Sequence, residues 1–117
     1  MFKKFVIAAS LAATLATPAF AGTDGRDRRV VVVNSSSQVL RELYASPVTS
    51  SNWEEDLLGS GVLQPGQNIR ANIDNGSNAC QYDLKVVMAD SREHIRRNVN
   101  VCSVSRWTIT NGGNSLR

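Results

Sequence analysis

Four groups of side chains in this sequence have types and spacing that could do chemistry. Cys80 and Cys102 are the only cysteines, 22 positions apart. They could form a structural disulfide, a redox pair or two ligands of a metal site. A redox pair usually sits as C-x-x-C, which is absent, and metal would want more partners than the single histidine, His94. The acids Glu54, Glu55 and Asp56 stand together behind Trp53. Hard cations such as Ca²⁺ take several carboxylates, and Asp74, Asp83 or Asp90 could complete such a site. No D-x-D-x-D-G loop is present, and acids at a helix start are also favoured by the helix dipole alone. Trp53 could stack on a ligand or pin its loop to the core. Arg92, His94 and Arg96 alternate onto one strand face. That face could hold an anionic sugar, a phosphate or a peptide carboxylate, or it could simply face solvent. A Ser-His-Asp triad can be assembled from His94 only on paper, because no G-x-S-x-G elbow exists. No catalytic residue and no metal ligand is assigned.

The elements that must position these groups follow a leader. Lys3 and Lys4 precede an apolar run from Phe5 to Ala16, Pro18 breaks it, and Ala19-Phe20-Ala21 is a small-x-small cleavage site. These are the three parts of a secretory signal peptide in order, spanning residues 1–21. The apolar core is too short to cross a bilayer, which takes about 20 residues. The sequence therefore predicts cleavage after Ala21 and a periplasmic or secreted domain, with no transmembrane segment afterwards. In that compartment two cysteines read as a disulfide. The whole chain has 13 basic and 10 acidic residues, net +3. Loss of Lys3 and Lys4 leaves a domain near neutrality, so the basic character of the whole chain is poor evidence for a nucleic-acid partner.

Past the leader, residues 22–29 are short, polar and charged and read as flexible. Strands are predicted near Val30–Val33, Val39–Tyr44, Ile69–Ile73, Cys80–Met88, Ile95–Val101 and Val104–Thr110, from alternation and valine content. Between the second and third, Ser51-Asn52-Trp53-Glu54 has capping-box spacing and predicts a short helical turn in a long loop. Leu63-Gln64-Pro65-Gly66-Gln67 suits a type II turn. Asp90-Ser91 marks a hairpin. Residues 111–117, rich in Gly and Asn, are expected to fray. The class is all-β: a small antiparallel β-sandwich of immunoglobulin-like size over residues 30–110, with a small open β-barrel as the alternative. Cys80 lies on the apolar face of its strand, whereas Cys102 has the parity of the polar residues in the return strand. Their union requires a β-bulge near Arg96-Arg97 or a strand that ends before Cys102.

The run LYASPVTSSNWEEDLLG, with VLQPGQ, CQYDLKVVMAD and VNVC, resembles a family of small exported alphaproteobacterial proteins. Their pattern is LY-x-SP, a tryptophan before D-L-L-G, L-x-P-G, C-x-YDL and a valine-rich segment closing on cysteine. The likeness spans about Val30 to Ile109 and departs from the pattern at Glu54, where the pattern has glycine. Some members carry the name argininosuccinate lyase. Such lyases are large helical oligomers, and the resemblance here implies a label without a mechanism.

These observations predict a non-catalytic exported β-domain that binds a protein, peptide or envelope component through the loop from Ser46 to Gly59, since loops on a rigid sheet commonly carry recognition. The rivals are a small hydrolase or lyase using His94 and nearby acids, and a Ca²⁺-stabilised module. Otherwise no cofactor is implied.

Overall fold

A computed structural model describes residues 24–117; residues 1–21, where a signal peptide is expected, and residues 22–23 of the expected flexible leader lie outside the described residues. Seven strands are found among them: β1 (Arg29–Asn34), β2 (Leu40–Pro47), β3 (Asn68–Asn72), β4 (Gln81–Met88), β5 (Glu93–Asn100), β6 (Arg106–Thr110) and β7 (Gly113–Leu116). They form a four-stranded sheet in the order β3-β1-β6-β7 and a three-stranded sheet in the order β2-β4-β5. The two inner faces enclose one core and neither sheet closes into a barrel, so the domain is a β-sandwich. The expected all-antiparallel pairing fails at one place. β1 and β6 run parallel, Val31 beside Arg106 and Val32 beside Trp107.

Alternation along each strand builds the core. Val30 and Val32 of β1, Leu43 of β2, Leu84 and Val86 of β4, and Trp107 and Ile109 of β6 are all essentially inaccessible. Full burial of each large apolar side chain contributes about 1.5–3 kcal/mol. The turns match their residue types. Pro65 and Gly66 (φ 90°) occupy the centre of a type II turn closed by Gln67 N–H donating to the Gln64 carbonyl. Ser91 (φ 73°) turns the β4–β5 hairpin. Asn34, fully buried at the end of β1, donates to the carbonyls of Gln38 and Leu63 and accepts from Ser36, which ties two turns together.

Three expectations need correction. The stretch after Trp53 is not a helical turn but two successive tight turns, Gly59 N–H donating to the Asp56 carbonyl and Gly61 N–H to that of Leu58. Its glycines, one at φ 60°, favour turn over helix. The leader does not hang loose from residue 24 onward. Arg28 is fully buried and its guanidinium donates to both carboxylate oxygens of Asp24 (2.9 and 2.7 Å) and to the carbonyls of Ala79 and Asn78. Residues 113–116 do not fray but form β7 against β6, because the ladder and the Asn114 side chain outweigh the weak strand preference of Gly and Asn.

Cys80 and Cys102 are joined, with Cα atoms 5.4 Å apart. In the chain-entropy picture such a bridge stabilises by roughly 3 kcal/mol. Both of the arrangements required by their parity are present. β5 carries a bulge in which Arg97 and Asn98 (φ 56°) together oppose Asp83, and it ends at Asn100, before Cys102. Asp83 fills the bulge, accepting from Asn98 N–H (3.0 Å) and from the Arg97 guanidinium (3.1 Å). An intramolecular disulfide fits an oxidising compartment, and no helix among the described residues is long and apolar enough to cross a membrane.

Candidate functional site

The loop between β2 and β3 lies across one edge of the sandwich, where β2 and β3 are the outermost strands of their sheets. Asp56 fixes it there. Its carboxylate Oδ1 accepts from Leu43 N–H of β2 and from Leu58 N–H, both at 2.9 Å. Leu57 N–H donates to the Leu43 carbonyl, and Leu63 pairs with Leu40. The unpaired side of β2 is thus covered at Leu40 and at Leu43.

Trp53 anchors the start of the loop on the outer face of the three-stranded sheet. Its half-buried ring sits 6.4 Å from that of Tyr44, with the Lys85 ammonium at 4.9 Å and the Arg97 guanidinium at 5.5 Å from its centroid. Each such cation contact is worth about 0.5–1 kcal/mol at an exposed site. Tyr44 donates to Glu42 (2.7 Å), and this hydrogen bond to a carboxylate pushes the phenol up to about 12. Trp53 therefore works as a pin. Glu54 and Glu55, the next two residues, turn the other way.

There they meet the turn that follows β3. Glu54, Glu55 and Asp74 line a groove of about 400 Å³ whose apolar wall is Ala45, Leu57 and Ile73. Asn75 donates to Glu54 across the rim (3.4 Å), and its own Oδ1 accepts from the buried Tyr82 hydroxyl (2.9 Å). One further feature comes from strand alternation. Leu43 gives both main-chain groups to the loop, and Val48 N–H donates to Gln81 of β4. Ala45, two residues beyond Leu43, must turn its N–H and C=O the same way as Leu43, away from β4 and into the groove. Neither meets a partner among the described residues. The groove thus offers apolar wall, edge-strand backbone and three carboxylates. It is large enough for side chains of a ligand.

The expected acidic trio is divided by this arrangement. Glu54 and Glu55 face the groove, whereas the Asp56 carboxylate is spent on backbone amides. Asp83 is held in the β5 bulge, Asp90 lies by Arg92 at 3.5 Å, and only Asp74 of the acids considered joins the pair. Among the described residues no three His, Cys, Asp or Glu side chains converge as a metal site.

The basic strand face also moves. The bulge lies between Ile95 and Val99, so keeping Val99 inward sends Ile95 outward, 38% exposed. His94 and Arg96 consequently point inward, at the opposite edge of the sandwich, where β5 and β7 are outermost. Asn114 of β7 gathers them. Its Oδ1 accepts from Arg96 (3.0 Å) and from Trp107 Nε1 (2.9 Å), and its Nδ2 lies 3.3 Å from His94 Nδ1. Arg92 shares that side but is mostly exposed. The cleft beside His94, reaching Ser36 and Thr110, holds about 20 Å³, room for one water. Sequence reasoning named Asp74 beside the acidic trio but missed Ala45 at this edge and Asn114 at the opposite one. None belongs to a motif, and only β-pairing brings each to its edge.

Arg28 and Asp24 lie near the disulfide, with Arg26 donating to Cys80 Sγ at 3.3 Å. The bidentate guanidinium holds the Asp24 carboxyl far below the usual carboxylate range and raises Arg28 in turn.

No protein-family description, curated protein or solved structure matched the chain. The functional reading rests on the geometry above and on the sequence motifs.

Proposed function

We propose that the chain is a non-catalytic binding domain of an exported protein, acting in the periplasm or outside the cell, and that the β2–β3 groove receives an extended cationic segment of a protein or peptide. One observation carries this reading: the groove combines three carboxylates with an apolar wall and the unpaired edge backbone of Ala45. An extended peptide can add main-chain hydrogen bonds at such an edge. Lys or Arg side chains would pair with Glu54, Glu55 and Asp74, and the intervening residues would lie on Ala45 and Ile73. The leader motif and the intramolecular disulfide support an oxidising location.

Binding of Lys-containing and Glu-containing extended peptides to the oxidised domain, measured by fluorescence anisotropy, tests the reading. Cationic peptides are expected to bind and acidic ones not. The triple variant Glu54→Gln, Glu55→Gln, Asp74→Asn should weaken capture about tenfold or more. Equal binding of both peptide types, or an unchanged triple variant, would overturn it.

A further inference from the structure

The outer face of the four-stranded sheet has a charge pattern that neither the core nor the groove requires. In one rung across all four strands, Arg70 of β3 stands beside Val31 of β1, Val31 beside Arg106 of β6, and Arg106 beside Arg117, just past β7. Strand spacing of about 4.8 Å puts three guanidinium stems within about 15 Å. Arg70, Arg106 and Arg117 are exposed, and none makes a side-chain ion pair or hydrogen bond among the described residues. Arg29, two positions before Val31 on the same strand, is matched by Asp27, whose carboxyl is lowered to about 2 by that contact. Like charges on directly paired positions, such as Arg106 and Arg117, destabilise a sheet. The Asp27 carboxylate acts on Arg70 across the adjoining depression and partly offsets that one charge, whereas no Asp or Glu side chain among the described residues forms an ion pair with Arg106 or Arg117. A shallow depression of about 260 Å³ adjoins the rung, bounded by Asp27, Arg29, Val31, Arg70 and Ser105.

We propose that this face docks an anionic polysaccharide, one bearing phosphate, sulfate or carboxylate groups on hydroxyl-rich sugars. The guanidiniums supply bidentate donors for the anionic groups. The next rung, Asn68 of β3, Val33 of β1, Thr108 of β6 and Ser115 of β7, supplies small hydrogen-bonding side chains suited to hydroxyls. The composition of the face separates this partner from others. The exposed large apolar residues, Val48, Val62 and Ile95, are all elsewhere, so nothing here would enter a lipid boundary. The tryptophans and tyrosines are also elsewhere. The face therefore lacks the aromatic platform on which single-stranded nucleic acid stacks and the aromatic anchors of a protein interface. The proposal is independent of the groove, which lies beyond the edge of β3 and carries the opposite charge.

Retention of the exported, disulfide-intact protein on dextran sulfate, on polygalacturonate and on neutral dextran tests it, at low ionic strength and at about 0.15 M salt. Both anionic glycans should retain the protein, salt should release it, and neutral dextran should not hold it. The double variant Arg70→Gln, Arg106→Gln should bind at least about tenfold more weakly, with a melting temperature no lower than that of the native protein because a like-charge pair is relieved. The groove variant Glu54→Gln, Glu55→Gln, Asp74→Asn should bind the glycans as well as the native protein. Equal retention on neutral dextran, an unaffected double variant, or tighter binding to phosphatidylglycerol vesicles, poly-dT or poly-Glu than to either glycan would overturn the proposal.

Discussion

The two edges of the sandwich solve the same problem differently. At the β5–β7 edge, long inward side chains span the gap: Arg96 and His94 from one sheet meet Asn114 from the other, and Asn114 also holds the buried Trp107. The space left over holds one water. At the β2–β3 edge the corresponding inward residues are Ala45 and Ala71, each buried but short. They cannot bridge the sheets, so the covering is left to the loop that Asp56 and Trp53 fasten. The loop pairs with the main chain of Leu40 and Leu43 and leaves the main chain of the buried Ala45 without a partner among the described residues. A sealed edge contributes stability, whereas an edge roofed by a loop and lined by carboxylates has room for a partner.

This contrast can be broken by substitution. The largest effect is expected at Asn114. Asn114→Ala removes the acceptor of the buried Trp107 indole and of Arg96, and an orphaned buried donor costs about 1–3 kcal/mol. In a domain of this size that lowers the melting temperature by roughly 4–8 °C per kcal/mol. Asn114→Asp, which keeps the acceptor, should recover most of the loss in thermal unfolding. Next comes Asp56→Ala, which uncaps Leu43 and Leu58 and should cost about 1–2 kcal/mol. Its sharper signature is increased hydrogen exchange at Leu43, Leu57 and Leu58 with little change at β5 and β7. The groove variant with Glu54, Glu55 and Asp74 neutralised should stay within about 0.5 kcal/mol of the native protein. Loss of stability as large as that at Asn114 would show that the carboxylates are structural.

The smallest signal is read only in acid, at the N-terminal segment. Asp24 has a folded pKa below its ordinary value near 3.8, so its contribution is complete above about pH 4 and is lost as pH falls. Protection of the amides of residues 24–28, taken relative to unstructured chain at the same pH, should therefore fall below about pH 4, and Asp24→Asn should remove that dependence.

Much of the scaffold was legible before the structure. Alternation marked the strands, Pro65-Gly66 marked its turn, and the odd parity of Cys102 required the bulge or early strand end that β5 provides. The failures share one cause. The C-terminal seven residues looked too polar and Gly-rich to hold a strand, and the segment before Val30 looked too charged to be buried. Both are ordered by partners far away in the chain, Trp107 for Asn114 and the Asn78 and Ala79 carbonyls for Arg28. The short helix predicted after Trp53 had correct capping spacing, but Asp56 bonds to β2 instead.

By itself the sequence determined the all-β class, the approximate strand set and the cysteine pairing. Those follow from local periodicity, residue type and count. The parallel β1–β6 pairing, the inward turn of His94 and Arg96, the split of the acidic trio and the arginine rung on the outer sheet were decided only by the tertiary structure. The first and last depend on register between strands distant in sequence, the turn of His94 and Arg96 on the one inserted residue of the β5 bulge, which exchanges the two faces of a strand, and the split of the trio on the bond from Leu43 N–H to Asp56.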